Sequence, residues 1–362
     1  IKQIMKRVFL FFILTLILFT SCNTSDDVSS VTLTSTSDRI EEQIESQELK
    51  DVYEKVNIIS SSYITQAGKT RGIGSWIKGH ISEAFADRVG GIIGGWAGKH
   101  IGAGAGAATG NPALAVGGYA LGQYMGKAAG SIAASYGACV ALAWFSNHHT
   151  RGNKILSYND IKVEVGSRCF NPLRNTAREQ ALQDILTDSI SFGDLHNAVL
   201  AKLFNNGDKY ILENKTLNYE LLLADCAKYV EEYDPTNYNS KDLQYCKEDL
   251  IELTKSIQKS AVEFESKKMD TIEKFYKCCY RSLPAQFKIP EIDIERQAKF
   301  DVIIGNTYEI LDKRDIIQCE QDVNKVIIDS NLDASMKQEL QGTNSLAAKT
   351  TIFWKTVKKE YE

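Results

Sequence analysis

Proline is scarce in this chain, five residues in 362, and outside one segment glycine is sparse too, so most of the sequence has few of the residues that interrupt helices. Histidine is limited to His80, His100, His148, His149 and His196. Neither a Gly-x-Ser-x-Gly elbow nor a His-Glu-x-x-His motif occurs, which removes two common signatures of hydrolases and zinc peptidases. A cationic surplus is missing as well: 42 Lys and Arg face 46 Asp and Glu, for a net charge of −4. Nucleic acid is therefore not an expected partner. Close Cys or His pairs of zinc-binding spacing are absent, and adjacent Cys278 and Cys279 cannot both face one ligand from a helix. Gly68-Lys69-Thr70 matches the end of a phosphate-binding loop, but the position of the loop's first glycine holds Tyr63 and no strand precedes it. Paired carboxylates such as Glu231-Glu232 lie among interspersed charges of both signs and read as solvated helix faces. No catalytic residue, metal or cofactor is assigned on these grounds. Alternating patterns are rare too, with only residues 158–165 suggesting a short β-element, so the expected fold class is mainly α.

What the chain does contain begins with Lys6-Arg7, an apolar run over residues 8–19 and Thr20-Ser21-Cys22. A run of this length reads as the core of a signal peptide over residues 1–21, because a permanent span needs about twenty apolar residues. Met5 is the expected start. Leu18-Phe19-Thr20-Ser21-Cys22 resembles the lipobox of bacterial lipoproteins, which implies a lipidated Cys22 and attachment to a membrane. Residues 22–37 are rich in Ser, Thr and Asp and read as a flexible tether. Within them, Ser25-Asp26-Asp27 resembles the acidic signal of Bacteroidota-type lipoproteins, which implies an outer-membrane protein exposed at the cell surface.

Residues 38–75 form an expected amphipathic helix and linker, with Ile40, Ile44, Val52, Val56, Ile59 and Tyr63 at helical spacing and Asp38 as cap. Residues 76–147 differ abruptly from the rest. Gly90, Gly94, Gly98, Gly102 and Gly106 recur every four residues, and after Gly110-Asn111-Pro112 the series resumes as Gly118, Gly122, Gly126 and Gly130, continuing into Ala134 and Ala138. A four-residue period returns to nearly the same helix face, so each series makes a strip without side chains. Helical glycine costs about 1 kcal/mol relative to alanine, so the strip needs an offsetting reason for close approach. Membrane helices supply one, since small residues let their backbones pack. Ile92, Ile93, Trp96 and Ile101 on the first helix and Leu114, Val116, Tyr119, Leu121, Tyr124, Met125, Ile132, Val140, Leu142 and Trp144 on the second would then face lipid, whereas Lys99, His100, Gln123 and Lys127 oppose constitutive insertion. The alternative is a soluble hairpin whose strip packs inside the protein. The segment resembles the glycine-zipper hairpins of bacterial envelope lipoproteins, and more loosely the Gly-rich peptides of two-component bacteriocins, which implies membrane association and homo-oligomerisation.

Residues 148–362 read as a soluble α-helical bundle. Helices are expected over residues 175–188, 193–204, 217–233, 241–281, 291–319, 320–331 and 334–360, with a turn at Asp234-Pro235. Cys226 and Cys246 lie at similar distances on either side of that turn and form the favoured disulfide pair; Cys319 with Cys278 or Cys279 is a second candidate. Cys139, within apolar sequence, is the expected unpaired thiol. Gly193-Asp194-Leu195-His196-Asn197 resembles a Gly-x-x-His-Asn pattern of uncharacterised exported proteins, and His196 and Asn197 form a candidate polar site whose simpler role is to satisfy buried groups. The expected function is a non-enzymatic envelope lipoprotein whose hairpin engages membranes, in its sharper form an antibacterial or pore-forming factor. The alternative is a cell-surface interaction module, binding a protein or glycan, with the hairpin buried.

Overall fold

The structure is a computed structural model and describes residues 34–70, 84–91, 93–95, 125–142, 181, 191–213, 216–269, 271–283 and 291–361. The expected leader, Cys22, most of the expected tether, the expected β-element at 158–165 and nearly all of the helix expected over residues 175–188 lie outside these residues. Residues 1–47 and 48–362 form separate compact units. In the first, the described residues are the opening turns of helix α1 (Thr34–Thr70). This helix starts earlier than the expected cap at Asp38 and runs through Gly68, because no proline and no earlier glycine interrupts residues 34–67.

Among the described residues of the second unit the regular structure is helical, apart from one isolated antiparallel bridge between Ile211 and Leu217. Helical residues 84–91, 93–95 and 125–142 are followed by α2 (Phe192–Asn205), α3 (Tyr219–Tyr233), α4 (Lys247–Ser266), α5 (Ile272–Ser282), α6 (Glu291–Ile310), α7 (Lys313–Ile328) and α8 (Ala334–Tyr361). Short 3-10 turns cover Gly207–Tyr210 and Ser240–Tyr245. Side-chain caps set several starts: Ser191 accepts from the Asp194 N–H, Asn218 from Leu221, Thr271 from Lys274 and Asp312 from Asp315.

Two of the expected helix boundaries are corrected. The helix expected over residues 241–281 is divided because Lys268 adopts φ 51°, while the Met269 N–H bonds Phe264 O at 3.1 Å and the Lys268 N–H bonds Glu265 O at 3.0 Å. This closure normally uses glycine at the left-handed position, so a lysine there gave no signal. The boundary expected at Cys319 falls instead at Asp312, whose side chain caps α7.

Two interiors result. One surrounds residues 84–91, 93–95 and 125–142 with α2, α3, α4, α5 and α8. Its aromatic groups include Phe85, Phe264 and Phe275, which meet edge to face at 5.3 to 5.9 Å, and Tyr136, stacked on Phe204 at 5.1 Å. The other lies between α1, α6, α7 and α8, where Leu49, Val52, Tyr53 and Val56 pack on Phe300, Ile304, Ile316 and Val323. This face of α1 repeats at helical spacing and accounts for its docking.

Candidate functional site

The described part of the glycine strip is a backbone-to-backbone contact. A Cβ added to Gly94 would overlap the Gly126 carbonyl and lie 3.0 Å from Gly130 Cα; one on Gly130 would lie 2.7 Å from Gly90 O and 2.9 Å from Gly94 Cα. A Cβ on Gly90 would overlap Ala134 Cβ. Contacts therefore run from Gly90 with Gly130 and Ala134 to Gly94 with Gly126 and Gly130, an antiparallel order. Gly98, Gly102, Gly106, Gly118 and Gly122 lie outside the described residues. The surroundings of the strip are protein: Leu346 of α8 covers Gly91, Leu250 of α4 covers Gly130, and Thr254 of α4 covers Gly137. Of the positions expected to face lipid, Ile93, Met125, Ile132, Val140 and Leu142 are buried in this interior, and the others lie outside the described residues.

Charges carried by the two helical stretches enter sockets formed by the helices around them. Asp87 is fully buried; its Oδ2 accepts from Trp354 Nε1 of α8 at 2.8 Å, and its Oδ1 lies 3.5 Å from His196 Nε2 of α2. Arg88 is equally enclosed by α6. Its Nε donates to Asp301 Oδ1 at 2.8 Å and its Nη2 to Asp301 O at 2.7 Å, while Tyr276 of α5 donates to Asp301 Oδ2 at 3.0 Å. Gly305 makes the room, since any Cβ there would occupy the guanidinium's position. Glu309 stands 4.0 Å from Arg88 Nη1, and burial pushes its carboxyl up to about 7 against the opposing pull of Arg88 and Lys355. Lys127 donates to Glu339 O at 3.3 Å and lies 5.2 Å from the Phe192 ring centre, beside Gly342. Burial lowers its ammonium to about 8. A buried charge is tolerated only with such partners, and removing one partner strands the other.

The Gly-x-x-His-Asn stretch fastens this assembly. Gly193 donates its N–H to Ser345 Oγ at 3.1 Å, and a Cβ there would collide with Ser345 O, so α2 and α8 touch closely. Asp194 pairs with Lys349 at 3.1 Å, and Asn197 Nδ2 donates to Lys349 O at 3.1 Å. His196 faces Asn197 Oδ1 through Nδ1 at 3.1 Å and Asp87 through Nε2, with 1% of its surface exposed. Asp194 and Asn197 thus meet α8 and His196 meets Asp87, and all three side chains are buried. Burial also raises the nearby Glu320 carboxyl to about 7, with Lys349 pulling the other way.

Asp87, Arg88, Asp301, Tyr276 and Trp354 were not singled out by sequence reasoning. An available signal was the adjacent pair Asp87-Arg88 directly before the glycine period, in otherwise apolar sequence. The expected disulfides are corrected: Cys226, Cys246, Cys278, Cys279 and Cys319 are free buried thiols. Cys246 closes a 3-10 turn instead of occupying a helical position that mirrors Cys226 across the turn. Burial raises both thiols, that of Cys246 to about 12, which leaves them protonated and unreactive at neutral pH. Cys139, expected to be the odd thiol, is disulfide-bonded. Among the described residues no group of three His, Cys, Asp or Glu side chains is arranged to hold a metal, and no helix is long and apolar enough to cross a membrane. No protein-family model, characterised protein or solved structure matches the chain.

Proposed function

We propose that the protein is a non-enzymatic envelope lipoprotein, anchored through Cys22 at the outer membrane, that carries its glycine hairpin sheathed inside its own helical domain and engages a membrane when the sheath opens. The observation that carries this reading is the pairing of a membrane-like glycine strip with sockets for Asp87, Arg88 and Lys127 on α2, α6 and α8. Sheathing reconciles the periodic glycines, which favour close packing in lipid, with charges that lipid would penalise. A second reading, favoured by the buried Arg88–Asp301 pair, is an interaction module for a protein or glycan in which the hairpin is permanent core.

The test ties Gly91 to Leu346, where a Cβ on the glycine would lie 2.9 Å from the leucine side chain, by the double substitution Gly91→Cys and Leu346→Cys. The full chain is mixed with anionic liposomes and dye release is followed. Release that the oxidised variant loses and reductant restores is the expected result. Equal release from locked and unlocked protein, or none from wild type, removes the sheathed-hairpin reading in favour of the permanent core.

A further inference from the structure

Lys127 differs from many lysines of the protein in what it lacks. Lys202, Lys209, Lys255, Lys267 and Lys277 each hold a carboxylate at 2.6 or 2.7 Å. Among the described residues Lys127 Nζ meets no carboxylate within ion-pair distance; it donates to one carbonyl, Glu339 O at 3.3 Å, and lies 5.2 Å from the Phe192 ring centre. Residue 127 is half-buried while residues 125, 126 and 128–140 are buried, so this side chain is where a small solute can reach this part of the helix. A Cβ at Gly342 would lie 2.8 Å from Nζ and 3.6 Å from Cε, and its absence leaves a notch beside the amine.

These surroundings disfavour the ammonium. Burial lowers it to about 8, against Glu339 of α8 and Asp301 of α6, which favour the charged form from farther away. Asp301 is engaged with Arg88 and Tyr276, and Asp194 of α2 with Lys349. Roughly one amine in ten is then neutral at pH 7, against about one in several thousand for an ordinary lysine. A desolvated, neutral amine is a nucleophile.

The same surroundings select among electrophiles by the product each would leave. An amide is uncharged and keeps an N–H for Glu339 O, whereas an imine gives up that N–H and a carbamate sets an unpaired negative charge beside the Phe192 ring. We infer that Lys127 is a selective acylation site, taking a small acyl group from an activated ester or thioester into the space beside Gly342. The Nζ lone pair attacks the acyl carbon and forms the N–C bond as the carbon–oxygen or carbon–sulfur bond breaks; the leaving alkoxide or thiolate departs with that electron pair, and the proton lost from nitrogen passes to solvent. The product removes the charge at 127, one of the three that the sheath accommodates, and it forms whether or not the hairpin leaves its sheath.

The experiment exposes the full chain to limiting p-nitrophenyl acetate over a range of pH and reads the acetylated positions by peptide mass spectrometry. Near neutral pH, Lys127 should react at least about tenfold faster than exposed Lys228. Its rate should level off above about pH 8, where that of Lys228 still climbs. In urea the preference should vanish, because it belongs to the fold. Gly342→Ala, which fills the notch, should slow Lys127 roughly threefold or more and leave Lys228 unchanged. Equal rates at the two lysines, a preference that survives urea, or a folded Gly342→Ala protein with an unchanged Lys127 rate would each overturn the proposal. The first two comparisons use the wild-type chain and decide the matter even if the Gly342 variant does not fold.

Discussion

The two interiors of the second unit are built on opposite rules. Around residues 84–91, 93–95 and 125–142, backbones touch and three ionisable side chains are taken into the protein; between α1, α6, α7 and α8, aliphatic and aromatic side chains fill the space. An interior of the first kind has no spare volume and must neutralise every charge. An interior of the second kind depends on how much side chain it buries. The same substitution logic therefore runs in reverse: adding atoms should harm the first most, and removing atoms should harm the second most.

The largest effect should come from Gly94→Leu, which drives a side chain into the Gly126 carbonyl and should prevent folding altogether; Gly94→Ala should already cost about 3 kcal/mol or more in urea titration. A stable Gly94→Leu protein would mean that the strips do not touch. Next, Asp301→Ala should cost about 3–5 kcal/mol, because it strands buried Arg88 and frees the Tyr276 hydroxyl. A loss below about 1 kcal/mol would place Arg88 in solvent instead.

The third prediction concerns pH. Glu309 and Glu320 have folded-state values of about 7 against an ordinary 4.5, so the folded state prefers their neutral forms. Their contribution is fully present below the ordinary value and is lost as pH rises towards about 7, on the order of 1–3 kcal/mol apiece. Lys127, lowered to about 8 from 10.5, opposes the fold below that value and is relieved above it. Urea midpoints should therefore fall between about pH 5 and about pH 7, and Glu309→Gln with Glu320→Gln should flatten the slope. A midpoint that rises across this interval would show that acid loosens these sockets. The smallest effect should be Ile316→Val in the second interior, about 1 kcal/mol from one lost methylene.

Much of this contrast was legible in sequence, and the parts that were not have physical causes. The face of α1 through Val52, Val56, Ile59 and Tyr63 followed from helical spacing, and the antiparallel glycine contact followed from a period of four on each side of a turn. A period reveals that something must come close; it is silent on whether lipid or protein surrounds the pair. That difference rests on Asp301, Trp354 and His196, which are far from the strip in sequence and enter through burial and charge pairing alone. The Cys226 with Cys246 expectation assumed two mirrored helical positions, and the 3-10 turn ending at Cys246 removes one of them. His196 and Asn197 were visible as an unusual pair, but their role in joining α2 to residue 87 and α8 required the fold.

Gly305 carries a consequence of a different kind. Its missing Cβ is the space into which the Arg88 guanidinium fits, and Asp301, one turn earlier on the same helix, supplies the countercharge. Positions 88, 301 and 305 are thus bound by strong epistasis: a side chain at 305 is excluded while arginine stays at 88, and shortening the arginine alone strands the carboxylate. Related sequences can be expected to change these three positions together or not at all, so the trio is a signature by which divergent copies of this hairpin and its socket can be recognised.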